Sequence, residues 1–123
     1  MTLKAGVVAL MAMTTITSAA MADCSVNRFR FFPAQNDSVS TTGMLSGGRD
    51  CMHRFRSRAT LQMTSGAIVS RPRNGTLSEV GALQFKYAPK PGFKGTDQYA
   101  IRICGRGVTG SGCSTVTYNM TVE

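Results

Sequence analysis

Apolar and polar residues alternate along residues 72–122, and proline and glycine residues interrupt the alternation. No part of this segment shows the three- to four-residue spacing of apolar positions that is typical of a helix. Successive side chains of a strand point to opposite faces, so a period of two residues predicts half-buried β-strands. The apolar positions of this pattern are Leu83, Phe85 and Tyr87, then Tyr99, Ile101 and Ile103, and finally Val116, Tyr118, Met120 and Val122. This half of the chain is therefore predicted to consist of successive strands joined by turns.

The first half of the chain has weaker strand signals. Residues 26–32 and residues 51–58 each alternate between apolar and arginine positions, which predicts two strands with a charged outer face. Residues 34–50 are rich in Ser, Thr and Gly and predict a long loop with at most one weak edge strand, and Gly66 is expected to separate two short strands. Together, about seven short strands with no long helix predict an all-β protein, a single antiparallel β-sandwich.

Part of the alternating region also forms a motif. Its residues are Pro72 and Gly75, Phe85, Tyr87 and Pro89, and then Gly92, Phe93, Gly95, Asp97, Tyr99 and Ile101. The motif resembles the second half of the bacterial immunoglobulin-like and cadherin-like tandem-repeat domains, and the resemblance covers residues 72–122. It implies an immunoglobulin-like scaffold of the kind shared by adhesins, polymer-binding modules and spacers. It also implies a structural role for Asp97, whose side chain would cap backbone groups.

Residues 1–22 have the features of a secretory signal peptide. Lys4 precedes an apolar run, and residues 20–22 match the small-residue cleavage pattern A-x-A. The run is shorter than the roughly 20 apolar residues that a membrane span requires. We therefore predict a signal peptide at residues 1–22, one immunoglobulin-like domain at residues 23–123, no membrane span after cleavage, and a periplasmic or secreted protein.

All 4 cysteines lie after the predicted cleavage site, and an even number in an oxidising compartment predicts two disulfides. Cys104 and Cys113 fall on the outward phase of neighbouring strands, which favours a bond between them. Cys24 and Cys51 then pair by elimination. Their strand phases are opposite, so this second bond requires a bulge or a position at the end of a strand.

Motifs for catalysis, cofactors and metals are weak. Gly105, Gly107 and Gly110 match G-x-G-x-x-G, but the next residues alternate as a strand where a dinucleotide site needs a helix, so we predict a hairpin loop. His53 is the single histidine and is predicted to be partly buried and hydrogen-bonded. The cysteine spacing suits no zinc site, and the scattered carboxylates predict no calcium site. No catalytic, cofactor-binding or metal residue is predicted, and we expect no enzyme.

Positive charge is the remaining chemical feature. The chain carries a net charge of +8 at pH 7, of which signal-peptide cleavage removes only Lys4, and such an excess favours anionic partners. The candidate anion-binding residues are Arg28, Arg30, Arg54, Arg56, Arg58, Arg71 and Arg73. Arginines two residues apart on a strand are spaced about 6.5 to 7 Å, which suits successive phosphates, sulfates or uronates. The alternative interpretation is that these arginines only solvate a sheet face.

These features lead to competing hypotheses about function. The first is a non-catalytic module that binds an acidic polysaccharide or another polyanion through an arginine-rich sheet face. No aromatic residue is interleaved on the outward phase, so no specific nucleic-acid recognition is predicted. The alternative is a structural or assembly protein whose strand edge pairs with a partner protein or with itself. A small enzyme or inhibitor would have to use the loop at residues 105–112.

Overall fold

The computed structural model describes Gly6 and residues 24–123. The predicted signal peptide, residues 1–22, lies outside these residues except for Gly6. The described chain forms eight strands and one single-turn 3₁₀ helix, Pro33–Gln35. The strands are β1 (Cys24–Val26), β2 (Ser38–Leu45), β3 (Cys51–Arg54), β4 (Leu61–Ser70), β5 (Gly75–Gly81), β6 (Gln84–Pro89), β7 (Gly95–Gly107) and β8 (Gly110–Val122). The all-β sandwich is confirmed.

The strands form two sheets that pack on each other. One sheet has the order β1-β2-β8-β7-β4, and the other has the order β3-β6-β5. All neighbours are antiparallel except β2 and β8, which pair in parallel from Ser38 opposite Thr115 to Leu45 opposite Val122. The predicted antiparallel sandwich therefore contains one parallel pair.

The core lies between the sheets and is formed by the alternating residues of the second half of the chain. On β7 and β8 the inward positions face each other in register, for example Tyr99 opposite Tyr118 and Ile101 opposite Val116. Phe85 and Tyr87 of β6 cover them from the smaller sheet, and all of these side chains are buried. The residues of the two-residue pattern therefore form most of the core. Burying each side chain of this size contributes about 1.5 to 3 kcal/mol.

For residues 34–50 the sequence predicted a long loop with at most one weak edge strand, but residues Ser38–Leu45 form an interior strand of 8 residues. Strand β2 lies inside the larger sheet, between β1 and β8. Its inward side is formed by Thr41, Gly43 and Leu45, of which only Leu45 is a large apolar residue. A Cβ atom on Gly43 would lie 2.8 Å from Met120 Sδ, so the glycine makes room for the core. Threonine and glycine thus take inward positions that a hydrophobic pattern does not reveal.

Gly66 does not separate two strands, because β4 continues through it. A Cβ atom there would lie 2.9 Å from Phe85 Cζ and 3.0 Å from Ile103 Cδ1. The missing side chain therefore lets two core residues pack against the strand. The prediction of a turn at Gly66 was wrong. The glycine is needed there because core side chains pack closely against the strand, and the chain does not change direction.

Two predicted strands are much shorter than expected. Strand β1 ends at Val26 and β3 ends at Arg54, where the predictions continued to residues 32 and 58. After each strand the chain leaves its sheet, and phenylalanine side chains of both segments meet, with the ring centroids of Phe31 and Phe55 5.9 Å apart. Aromatic packing between the segments replaces the strand pairing that the alternation predicted.

Both predicted disulfides are present, Cys24–Cys51 and Cys104–Cys113. Cys104 and Cys113 are direct partners across the β7–β8 hairpin, as their common phase predicted. Cys24 and Cys51 are the first residues of β1 and β3, so their bond joins the two sheets. The expected opposite phases were wrong, because Val26 and not Asn27 begins the inward pattern and Cys24 shares its face.

The glycine-rich segment between Cys104 and Cys113 is the predicted hairpin. Gly105 pairs with Gly112 and Gly107 with Gly110, so only Val108 and Thr109 remain in the turn. Gly110 has a φ of 146°, a conformation that other residues rarely adopt. The structure therefore confirms a hairpin at this match to G-x-G-x-x-G.

Candidate functional site

A cleft of about 740 Å³ opens between residues 27–32, which follow β1, and the segment that joins β3 to β4. Its apolar lining includes Phe29, Phe31, Phe32, Phe55, Leu61 and Met63. His53 and Tyr118, both buried, form part of its lining next to the core. The cleft is therefore an extension of the sandwich interior that reaches solvent.

Hydrogen bonds hold residues 27–32 at both ends. At the first end the Asn27 backbone N–H donates to the Thr42 carbonyl at 2.9 Å, and Thr41 Oγ1 donates to the Asn27 carbonyl at 2.9 Å. At the other end the buried Ser114 hydroxyl lies 3.0 Å from the carbonyl oxygens of Phe32 and Pro33. Residues 27–32 form one wall of the cleft. Contacts with β2 and β8 fix this wall, although it is not itself a strand.

The opposite wall is fixed by contacts of its own. The Phe55 backbone N–H donates to the Leu83 carbonyl at 3.0 Å, and the Met63 N–H donates to Ser57 Oγ at 2.9 Å. Arg58 and Leu61 exchange two backbone hydrogen bonds that close the turn before β4. These hydrogen bonds therefore fix the backbone of the segment that contains the arginines.

His53 is buried within this site, as the sequence predicted. Its ring stacks on Tyr118 with centroids 4.0 Å apart, and Nε2 shares a hydrogen bond with the Tyr99 hydroxyl. Burial disfavours the charged imidazolium and lowers the pKa of His53 from 6.5 to about 4. Burial likewise raises the pKa of Tyr99 and Tyr118 above their usual value. The histidine and the two tyrosines beside the cleft are therefore uncharged at pH 7.

The lowered pKa of His53 predicts a specific loss of stability in mild acid. As the pH falls from 6.5 to about 4, the unfolded chain binds a proton that folded His53 does not, so unfolding becomes easier. The loss over this window is on the order of 3 kcal/mol, and below pH 4 this contribution stays constant. Urea unfolding between pH 7 and pH 4 measures it.

The matched variant is His53→Gln, which keeps a hydrogen-bonding side chain beside Tyr99 but does not titrate. We expect its stability to fall much less between pH 6.5 and pH 4 than that of wild type. The carboxylates contribute equally to both proteins, so the difference isolates His53. Parallel pH profiles for the two proteins would contradict the assignment.

The structure brings together four of the predicted anion-binding residues, Arg30, Arg54, Arg56 and Arg58, which all line the cleft. Arg28 is exposed on the same wall but outside the lining. Arg71 and Arg73 lie in the connection from β4 to β5, where Arg71 Nη1 donates to the Leu77 carbonyl at 3.4 Å and the Arg73 backbone N–H donates to Asp97. The cleft therefore contains four of the seven predicted anion-binding arginines.

The arginines do not form the predicted sheet face. Strands β1 and β3 belong to different sheets, and of the four cleft arginines only Arg54 lies in a strand. The physical reason is that both chain segments leave their sheets and turn phenylalanine side chains inward, which leaves the flanking arginines at the rim. Residues that the pattern placed on one flat surface thus surround an opening.

The alternation treated Phe29, Phe31 and Phe55 as inward positions of two strands and did not reveal them as part of a site. A signal was present, because the tripeptide Arg-Phe-Arg occurs twice, at residues 28–30 and residues 54–56. Both copies lie beside the cleft, and Phe29, Arg30 and the whole second copy line it. A repeated short pattern in two segments is therefore the feature that could have predicted their meeting.

The electrostatic setting of the cleft is basic. No carboxylate is among its lining residues, and within residues 24–123 none of its four arginines forms an ion pair. The surface ion pair that is seen, Lys86 with Asp50 at 3.9 Å, involves other residues. Guanidinium groups without carboxylate partners are available to an anionic ligand.

Asp97 lies away from the cleft and has the structural role that the resemblance implied. Its buried carboxylate accepts hydrogen bonds from the backbone N–H groups of Arg73, Asn74 and Gln98, and from the Tyr87 hydroxyl at 2.7 Å. These bonds attach the β4–β5 connection to the start of β7. The capping prediction is confirmed.

Residues 24–123 contain no group of three or more His, Cys, Asp or Glu side chains placed to hold a metal ion. No helix in the described part of the chain has the length and apolar character that crossing a membrane requires. In comparisons with known proteins, no family model and no curated protein matches the chain.

Proposed function

We propose that the protein is an exported, non-catalytic binding module that takes acidic polymers at the arginine rim of the cleft. One observation carries the proposal: two separate segments bring Arg30, Arg54, Arg56 and Arg58 around one opening, and none of the residues 24–123 that line it is a carboxylate. A row of guanidinium groups can contact successive anionic groups of a flexible polysaccharide or another polyanion. The net charge, +8 for the full chain and one unit lower after loss of Lys4 with the signal peptide, adds long-range attraction for such a partner.

Export is supported by the two disulfides, because such bonds persist in oxidising compartments. With the signal-peptide pattern of residues 1–22, they favour a periplasmic or secreted protein with its domain at residues 23–123. Membership of the immunoglobulin-like and cadherin-like tandem-repeat domains is likewise part of the proposal and rests on the motif in residues 72–122.

The absence of catalysis is proposed from the character of the lining. His53 is its one imidazole, and that ring is buried and hydrogen-bonded to Tyr99. Among the described residues of the lining there is no carboxylate or thiol that could act with it as a general acid, base or nucleophile. Binding of anionic groups is the chemistry that the arginine side chains at the rim support.

The alternative function, assembly through a strand edge, has less support from the edges themselves. Strands β4 and β5 are outer strands. Strand β4 contains two register shifts and β5 contains one, and the extra residues at two of these shifts, Val69 and Val80, are exposed. The other two outer strands, β1 and β3, have 3 and 4 residues. Bulges and short length are features that discourage edge-to-edge pairing.

The test is a triple variant, Arg54→Ser with Arg56→Ser and Arg58→Ser. These side chains are exposed, so we expect the fold to persist. Each contributes about 1 kcal/mol or less, so the combined loss should move elution from an immobilised polyphosphate or heparin column to clearly lower salt. Wild-type affinity should also fall steeply with salt, as expected of polyanion binding.

The matched control removes the same charge elsewhere, through Arg73→Ser, Arg102→Ser and Arg106→Ser, which are also exposed. We expect this variant to elute between wild type and the cleft variant. If the two variants elute together, net charge and not the cleft governs retention. If the cleft variant elutes with wild type, the arginines only solvate the surface and strand-edge assembly becomes the leading function.

A further inference from the structure

The cleft has apolar walls that an acidic polymer alone would not use. Phe32 is 47% exposed and Met52 is 39% exposed, and both line it. Phe29, Phe31, Phe55, Leu61 and Met63 are only partly buried along the same lining. Large apolar side chains exposed together in one concave place mark a site for an apolar group.

The dimensions of the cleft fit a small molecule. Its volume of about 740 Å³ is within the range of roughly 300 to 1,000 Å³ that is typical of ligand pockets. Edge-to-face contacts keep its walls in place, with the ring centroids of Phe29 and Tyr118 6.2 Å apart at 87°. The apolar space therefore belongs to packed elements of the sandwich.

Charge at the rim decides what kind of apolar ligand suits this space. Arg30, Arg54, Arg56 and Arg58 line the same cleft as the phenylalanines, and no acidic side chain of the described residues lines it with them. A guanidinium group binds phosphate, sulfate or carboxylate in a bidentate manner and also stacks on aromatic rings. A cationic or neutral head group would leave these charges without a partner.

We propose that the cleft binds a monomeric single-chain amphiphile with an anionic head group. The apolar chain lies among the phenylalanine and methionine side chains, and the head group pairs with the arginines at the rim. The inference rests on the proposed anion-binding role of those arginines and names a further ligand class for the same site. A free monomer is the source that we favour over a bilayer, because the apolar lining is concave and not an outward face.

Dodecyl phosphate, used below its micelle concentration, is the probe, and titration calorimetry measures its binding to the full mature protein. We expect one site per chain and an affinity at least about tenfold higher than for dodecyl maltoside or inorganic phosphate, which supply only the tail or only the head. Octyl phosphate should bind more weakly, since each buried methylene changes affinity by about fourfold.

Two single variants locate the tail. Phe32→Ser removes an exposed ring from the lining, and we expect about tenfold weaker binding of dodecyl phosphate with unchanged retention on polyphosphate. Val69→Ser is the matched control, because Val69 is 51% exposed on β4 and lies outside the lining. It should leave both measurements unchanged. The triple arginine variant should weaken the binding of dodecyl phosphate by about tenfold or more.

The outcomes separate the two proposals. The amphiphile proposal is overturned if dodecyl phosphate binds no more tightly than inorganic phosphate. If polyphosphate retention still depends on the arginines in that case, the polymer function stands. Equal effects of Phe32→Ser and Val69→Ser also overturn the amphiphile proposal, as does binding of several amphiphiles per chain. Binding only to phosphatidylglycerol vesicles, or a dimer that Phe32→Ser dissociates, would assign the cleft to a membrane or to a second copy instead.

Discussion

Replacing Asp97 by alanine is expected to destabilise the protein by about 4 kcal/mol, which is a large part of the 5 to 15 kcal/mol typical of a whole domain. The carboxylate is buried and accepts from three backbone N–H groups and the Tyr87 hydroxyl. Alanine leaves these donors inside the protein without an acceptor, and each unpaired group costs about 1 to 3 kcal/mol. Urea unfolding at pH 7 measures the change.

The control for this variant is Asp37→Ala. Asp37 is exposed, and its carboxylate accepts one hydrogen bond, from the Ser38 backbone N–H at 2.8 Å. We expect its replacement to cost about 1 kcal/mol or less, because water can reach the donor that is left. If the two variants unfold at the same urea concentration, Asp97 does not organise the connection between β4 and β5.

Removing the disulfide between the sheets, with Cys24→Ala and Cys51→Ala, is expected to cost about 3.5 kcal/mol in the loop-entropy account. The bond closes a sequence separation of 27 residues and joins β1 to β3 across the sandwich. Residues of both strands, Val26 and Met52, line the cleft beside it. The variant should therefore also bind anionic ligands more weakly, which the same column and calorimetric measurements would show.

The other disulfide provides the comparison. Cys104 and Cys113 are separated by 9 residues in a hairpin whose strands already pair from Gly95 opposite Val122 to Gly107 opposite Gly110. Replacing both by alanine should cost about 3 kcal/mol in stability and leave ligand binding intact. Weakened binding in this variant, with normal binding in the first, would show that the disulfide between the sheets does not support the cleft.

The alternation in the second half of the chain predicted its strands well, because those strands bury large apolar residues on one face. The length and interior position of strand β2 were not predicted from the sequence, which indicated at most a weak edge strand, for two physical reasons. Its inward residues include Thr41 and Gly43, and its main partner β8 is distant in sequence, so no local pattern records the pairing. Packing against Met120 explains Gly43 only after the partner is known.

The candidate site was predictable in composition but not in shape. The arginines were recognised from their spacing, yet alternation alone could not show that residues 27–32 and 55–58 leave the sheets. What turns them is contact between side chains far apart in sequence, such as Phe31 with Phe55 and Phe29 with Tyr118. The cleft between these segments could not be predicted for the same reason, because it depends on contacts between residues far apart in sequence.

The parallel pairing of β2 with β8 has a consequence for the order of folding events as the chain is synthesised. Strand β2 has only the 3-residue β1 as a sheet partner until β8 has emerged, so the larger sheet must be completed late. The cysteines pair in the order of their appearance, the first with the second and the third with the fourth. In a chain that emerges amino-terminus first, Cys24 can therefore find Cys51 before Cys104 competes for it, and correct oxidation does not have to wait for the late sheet.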